Sequence, residues 1–324
     1  MAEIYLSNSV NPHYNLAVEE YLTFNTQGDV LFLWQNDATV VIGNHQNAWS
    51  ECDLNKLAAD GGRLARRTTG GGAVYHDLGN LNFSFVCDEA DFSVQKNLQI
   101  IADALGDLGI VATATGRNDL TVNGKKISGN AFLHRQGRAL HHGTLLINSD
   151  LDVLGKYLTV NRKKLDSKGV KSVRARVTNL SSLVDVTVED VKSAIINRYA
   201  RAHACTRIQQ PLPNNEAITA RAAQMATYEY LMGENPRFSL TIDGRWAWGG
   251  VTLGLSVKGD VIEDVKVWTD ALDVELPHKV DGVIKGATLS RDNLSKLALS
   301  ADDECVRDII GAVIGYFYEG DSAR

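Results

Sequence analysis

Arg66-Arg67-Thr68-Thr69-Gly70-Gly71-Gly72-Ala73-Val74-Tyr75-His76-Asp77 is the stretch on which the reading of this chain turns. Two arginines run into three glycines, and a short strand-like Ala-Val-Tyr follows with a His-Asp pair behind it. Glycines admit backbone dihedrals closed to other residues and let a ligand approach the main chain. Bare N–H groups in such a loop can wrap an anion, and a guanidinium beside them supplies forked donors for phosphate or carboxylate. The plainer alternative is a glycine turn flanked by two solvated arginines. The phosphate loop of nucleotide hydrolases is excluded, because no Gly-Lys-Ser/Thr follows. The dinucleotide fingerprint fits poorly, since the glycine spacing is wrong and a strand follows where a helix is required.

Outward from this loop the composition is that of an ordinary globular protein. The chain has 324 residues, 44% hydrophobic and 22% charged, enough for one large domain and a smaller one. No apolar run approaches the roughly 20 residues that span a bilayer, and the start lacks a signal-peptide layout. Cys52, Cys87, Cys205 and Cys305 are scattered with no Cys-x-x-Cys pair, which indicates neither zinc nor a disulfide framework and points to a reduced, cytoplasmic setting. The net charge of −6 is unevenly spread: residues 61–180 carry 17 Lys/Arg against 10 Asp/Glu. That basic stretch, Arg162-Lys163-Lys164 included, favours an anionic small molecule or an acidic partner. Few aromatics interleave it, which argues against nucleic acid.

Asn11-Pro12 opens a helical pattern through Leu22. Strands are expected at Val30–Trp34, Thr39–Ile42, Ala73–Tyr75 and Asn82–Val86, and helices at Asp53–Ala59 and Val94–Leu108. Asn123-Gly124 between two β-rich runs predicts a two-residue hairpin. Alternation on its outgoing strand places Lys126, Ser128 and Asn130 on one face, with Lys125 and Ile127 on the other. A further strand near Leu140–Ile147 carries His141-His142-Gly143, followed by helices at Asp152–Leu158, Val188–Ala200 and Ala217–Leu231. Gly233-Glu234-Asn235-Pro236 breaks the pattern, dividing residues 1–236 from 237–324. Beyond it a meander is expected over Phe238–Ile242, Arg245–Val257 and Val261–Trp268, turning at Asp243-Gly244 and Gly259-Asp260. Helices near Leu289–Leu299 and Cys305–Tyr318 complete a small α+β unit. Asp77 or Asp119 could hold Mg²⁺, or simply cap a turn.

Several of these motifs together resemble the lipoate–protein ligases in their long form with a C-terminal accessory domain. The resemblance rests on Asn15-Leu16-Ala17-Val18-Glu19-Glu20, Leu31-Phe32-Leu33-Trp34, Val40-Val41-Ile42-Gly43 and the glycine loop. It extends through Gly116-Arg117-Asn118-Asp119-Leu120, Lys126-Ile127-Ser128-Gly129, His141-His142-Gly143-Thr144, Ser172-Val173-Arg174 and Trp248-Gly249-Gly250-Val251. It implies an α+β fold, a mixed-sheet catalytic domain shared with biotin ligases, and a smaller α+β accessory domain. It implies that lipoate and MgATP form lipoyl-AMP, whose acyl group passes to a lysine of acceptor domains. Those acceptors would be the E2 subunits of 2-oxoacid dehydrogenases and the glycine cleavage H protein. Carried onto this chain, Lys126 is the catalytic residue and touches both substrates. Arg67, Gly72, Ala73, Val74, Tyr75, Asn118 and Asp119 face the nucleotide. Trp34, Gly71 and His142 face lipoate, with Asp119 a possible metal ligand. Octanoate is the implied secondary substrate of a monomeric enzyme.

Two rivals are weighed. An octanoyltransferase needs a reactive thiol near the acyl pocket, and none lies between Lys126 and Ser167. A degenerate lipoate sensor would not be expected to keep Arg67, the three glycines and Lys126 intact.

Overall fold

The computed structural model describes residues 2–115, 119–158, 177–205, 209–213, 215–232 and 240–319. Asn118, Arg162-Lys163-Lys164, Ser172-Val173-Arg174 and the Gly233–Pro236 break lie outside them. Close contacts divide the chain into two compact units. The first holds Met1–Ile42, Ala48–Thr68 and Ala73–Leu231; the second holds Gly43–Asn47, Thr69–Gly72 and Met232–Arg324.

The first unit is built on strands β1 (Glu3–Leu6), β2 (Val30–Trp34), β3 (Thr39–Ile42), β4 (Arg63–Arg66), β5 (Val74–His76), β6 (Asn80–Asp88), β7 (Thr113–Thr115), β8 (Asp119–Val122), β9 (Lys125–Arg135), β10 (Arg138–Leu146) and β11 (Gln209–Gln210). Eight of them form one sheet in the order β11-β1-β2-β6-β10-β9-β8-β7, and β4-β3-β5 form a small second sheet. The large sheet is mixed, parallel where β1 meets β2 and β11 and antiparallel elsewhere. Its helices are α1 (Pro12–Asn25), α2 (Ala48–Glu51), α3 (Leu54–Ala59), α4 (Val94–Asp107), α5 (Leu151–Tyr157), α6 (Val188–Ala202), α7 (Glu216–Met225) and α8 (Tyr228–Met232).

Alternation along the strands sorts the two faces of the large sheet. Leu31, Leu33, Phe83 and Phe85 join Ile101 and Leu105 of α4 and Ile195 and Tyr199 of α6 in one apolar cluster. Their neighbours Trp34 and Ser84 turn to the opposite face, where α1 lies. Asn11 caps α1 by accepting from the N–H groups of His13 and Tyr14, with Pro12 in its first turn. Asn123 and Gly124, at φ of 51° and 74°, make the two-residue turn between β8 and β9.

The second unit carries an antiparallel meander, β12 (Leu240–Trp246), β13 (Gly249–Lys258) and β14 (Val261–Thr269), then helices α9 (Leu276–Ile284), α10 (Arg291–Ser300) and α11 (Glu304–Ile314). Leu253, Leu255 and Val267 pack against Leu276, Val280, Ile309 and Ile310. Among the described residues no helix is long and apolar enough to cross a membrane.

Several elements depart from expectation. The helix expected over Ala217–Leu231 is two, because Thr227 caps a new start by accepting from the N–H of Tyr230. The turn expected at Asp243-Gly244 lies at Ala247-Trp248; β12 runs on to Trp246, whose indole stacks on Trp248 with centroids 5.0 Å apart. Helix α9 escaped notice because its pattern is short and opens on Pro277. The last expected helix leaves α geometry at Gly315.

His141 sits wholly inside the first unit, Nε2 donating to Asn130 Oδ1 at 3.0 Å and Nδ1 accepting from Asn97 Nδ2 at 3.2 Å. Burial, then the neighbouring His142, lowers its pKa from 6.5 to about 3. The unfolded chain takes up this proton first, so stability is complete above about pH 6.5 and falls as pH drops towards 3. Between roughly pH 7 and pH 5 this one group should cost about 2 kcal/mol. His141→Gln should flatten the dependence of melting temperature on pH over that interval; an unchanged slope would rule the account out.

Candidate active site

β4 ends at Arg66 in extended backbone, so consecutive side chains leave on opposite sides. Arg66 Nε donates to the carbonyls of Tyr230 and Leu231, both at 3.1 Å, and Nη2 also donates to Leu231. Arg67 Nη1 donates to the Val41 carbonyl at 3.2 Å. Both guanidiniums are buried, and burial brings each pKa down to about 10, with the Glu19 carboxylate opposing the drop at Arg67. Two solvated arginines are therefore excluded, and both remain cations at neutral pH.

Beside Arg67 lies a buried polar cluster. The Glu19 carboxylate, 2% exposed, accepts from His142 Nδ1 at 2.9 and 3.0 Å and from the Ser84 hydroxyl. Ser84 in turn accepts from Trp34 Nε1 at 3.0 Å. His76 stands edge-on to Trp34, with Asn36 Nδ2 donating to its Nδ1 at 3.2 Å. Its buried Nε2 has no hydrogen-bond partner among the described residues. Burial, then the charge of Arg67, lowers His76 to about 3, so the ring is neutral.

A second cluster lies on β8 and β9. Lys126 Nζ is 2.6 Å from Asp119 Oδ1, with both side chains less than a third exposed. The shared face expected for Lys126 and Ser128 is not found. A bulge sets Thr121 opposite Lys126 and Leu120 opposite Ser128, with Ile127 as the extra residue. Ser128 is consequently buried, while the Lys126 side chain runs over the face that carries Asp119 and Gly129.

Gly70, Gly71 and Gly72 belong to the second unit. A Cβ on Gly70 would stand 2.3 Å from the Ala271 carbonyl oxygen and 2.7 Å from that of Leu272, so no side chain fits there. Gly71 has φ of 91°, and its N–H donates to the Ala271 carbonyl at 2.8 Å. The Thr69 carbonyl accepts from the N–H of Asn44 at 2.9 Å. Next along the chain, in the first unit, Tyr75 lies half-buried with its ring 5.6 Å from that of Tyr157. Asp77 takes the turn role, accepting from the N–H groups of Gly79 and Asp150 at 2.9 and 2.7 Å. Among the described residues no group of three or more His, Cys, Asp or Glu could hold a metal. All four thiols are pushed up by burial, Cys52, Cys87 and Cys305 to about 11.

Comparison with known proteins identifies the family. Residues 11–200 match the lipoyl protein ligase A/B catalytic domain family, and residues 235–310 match the bacterial lipoate protein ligase C-terminus. The chain belongs to the lipoate–protein ligase family. It is 44% identical over 279 residues to lipoate-protein ligase A of Psychrobacter cryohalolentis, covering 82% of each chain. Among solved structures it is similar to P. falciparum LipL1 in complex with lipoate, at a TM-score of 0.82 and 30% identity, covering 96% of this chain and 98% of that one. A lipoate-protein ligase A bound with ATP superposes at a TM-score of 0.62 and 30% identity, over 72% of this chain and 98% of its own.

The sequence reading of the ligase did not assign Glu19, Ser84 or His76 to the site. A signal was present: Asn15, Glu19 and Thr23 recur at i+4 on α1, a polar line on the face that also buries Leu16 and Leu22. Ser84→Ala removes the acceptor of the Trp34 N–H and one donor to Glu19. Unfolding in urea should show a loss of about 1–3 kcal/mol, and a variant as stable as the parent would mean that these bonds carry nothing.

Proposed function

We propose that this ligase activates lipoate at Lys126 and Arg67. Its activity is the ATP-dependent attachment of lipoate to proteins, as its membership over both segments and its relatives support. The observation that carries the residue-level reading is the Lys126 ammonium, partly buried on a bulged strand and already holding a carboxylate at 2.6 Å. That is the geometry needed to hold the carboxylate of an incoming acid against phosphorus.

In the first step a lipoate carboxylate oxygen attacks the α-phosphorus of ATP, the bond to the β-phosphate bridge breaks, and pyrophosphate leaves. Lys126 bridges the two reacting groups and offsets the charge that spreads over the phosphorus oxygens. Arg67 adds a buried cation, with the main chain of Gly72, Ala73, Val74 and Tyr75 and the side chains of Asn118 and Asp119 along the nucleotide. Trp34 and His142 line the path of the acyl chain, together with Glu19, Ser84 and the neutral His76, and the Gly71 main chain meets its carboxylate end. In the second step a lysine amine of the acceptor attacks the acyl carbon. The carbon–oxygen bond to AMP breaks and an amide forms, with Lys126 holding the departing phosphate.

Mg²⁺ would be shared between the nucleotide phosphates and a protein carboxylate, a hard-oxygen set that suits it. Asp119, whose Oδ1 stands 2.6 Å from Lys126 Nζ, would be that donor, and the ion would lower the charge repulsion among the phosphates. Residues 1–236 are read as catalytic and 237–324 as accessory. The acceptors are lipoyl domains of E2 subunits and H protein, octanoate is the secondary acid, and the enzyme is a cytoplasmic monomer. A thioester route is disfavoured because no thiol in the chain has its pKa lowered.

Incubation with lipoate, MgATP and an isolated lipoyl domain should add one lipoyl group to the domain, read by intact mass. Lys126→Ala should abolish lipoate-dependent ATP–pyrophosphate exchange with the melting temperature unchanged. Acyl transfer that proceeds undiminished without nucleotide would falsify the ligase mechanism.

A further inference from the structure

We propose that Gly129 is a positioning residue for Lys126: its missing side chain is the space in which the ammonium stands. The inference rests on the reading of Lys126 as the catalytic lysine and adds a residue to it.

The bulge at Ile127 sets the direction of the lysine. It turns the Lys126 side chain onto the face of Gly129, three residues on, whereas plain alternation would place it with Ser128. Asp119 is the cross-strand partner of Gly129, so the lysine tip reaches Asp119 by passing over the Gly129 Cα. A Cβ built on Gly129 would lie 3.1 Å from Lys126 Nζ and 3.3 Å from Cε, and among the described residues no other atom beyond its chain neighbours comes within 4 Å. Gly129 has no left-handed φ, so its backbone asks for no glycine. Among the described residues, packing asks for none either, and the lysine tip makes the demand.

Both ends of this short segment are fixed. The Lys126 carbonyl accepts from the Thr178 N–H at 3.0 Å, and the Gly129 N–H donates to the Thr144 hydroxyl at 3.2 Å. With the main chain held on each side, a methyl group at 129 can be accommodated only by moving the end of the lysine. The displacement needed is a few tenths of an ångström, and the methyl also takes water from one side of the ammonium. Positioning errors of about 1 Å can cost roughly a hundredfold in rate when two groups must be held in line. A smaller displacement combined with lost solvation should cost about tenfold.

The test compares Gly129→Ala, Gly129→Val and Lys126→Ala in the full-length enzyme. It uses lipoate-dependent ATP–pyrophosphate exchange, thermal melting, and NMR of protein labelled with ¹³C at lysine Cε. The Lys126 signal is assigned by its loss in Lys126→Arg. Gly129→Ala should lower kcat about tenfold, with little change in KM for ATP, an unchanged melting temperature and a shifted Lys126 Cε resonance. Gly129→Val should lower kcat further. If Gly129→Ala exchanges like the parent while Lys126→Ala is inactive, the positioning role is overturned and the catalytic lysine stands. A melting temperature that falls in step with activity, with the Lys126 resonance unmoved, would overturn it in favour of a purely structural glycine. Full exchange by Lys126→Ala would remove the underlying reading instead.

Discussion

A carboxylate buried at Glu19 is the constraint to which the first unit answers. An ionised group taken from water is costly unless donors surround it. Helix α1 can therefore lie on the large sheet only where Ser84 of β6 and His142 of β10 reach that carboxylate. The same requirement brings Trp34 of β2 into line through Ser84. Three adjacent strands and one helix are thereby locked in register by polar contacts, on the face opposite the Phe83–Phe85 core. A core of apolar residues alone would tolerate sliding; a satisfied polar network does not.

The network also sets the chemistry of that face. Neutral His76, buried Trp34 and the Arg67 cation make a mostly dry wall with fixed polar points. A saturated chain can lie against such a wall without stranding donors, while its charged end must be met elsewhere. On the strand pair β8–β9 the bulge at Ile127 sends Lys126 to the Asp119 side. The Ser84–His142 pair that holds Glu19 and the Lys126–Asp119 pair thus stand on different strands of one sheet.

Legibility in the sequence followed the range of the interactions involved. Asn11-Pro12, Asn123-Gly124 and the alternation of β2 and β6 were readable because caps, turns and pleats are fixed by near neighbours in sequence. The small α+β second unit followed from the order of its elements, while the mixed sheet of the first came with the family resemblance. What escaped was set by partners distant in the chain. β4 is a strand because β3 pairs with it, and Asp243-Gly244 stays extended because it pairs with Thr252 and Val251 of β13. The bulge at Ile127 was the costliest omission. Lys126 stands out in the sequence through the resemblance alone, because one extra residue at Ile127 reverses the alternation that would give it a face in common with Ser128. Glu19 was passed over because an acid on a helix is usually solvated, and only the i+4 line with Asn15 and Thr23 marks it as different.

The Arg66-Arg67 pair shows how closely scaffold and site are joined. Extended backbone gives the two guanidiniums opposite directions, and each finds a task suited to its planar fork. Arg66 gathers the carbonyls of Tyr230 and Leu231 at the end of α8, where helix carbonyls lack partners. Arg67 turns to the Val41 carbonyl and the field of Glu19. A lysine at 66 could not span two carbonyls from a fixed plane, and one at 67, buried as deeply, would give up its proton more readily. The doubled arginine thus follows from two separate demands placed on adjacent residues of one short strand.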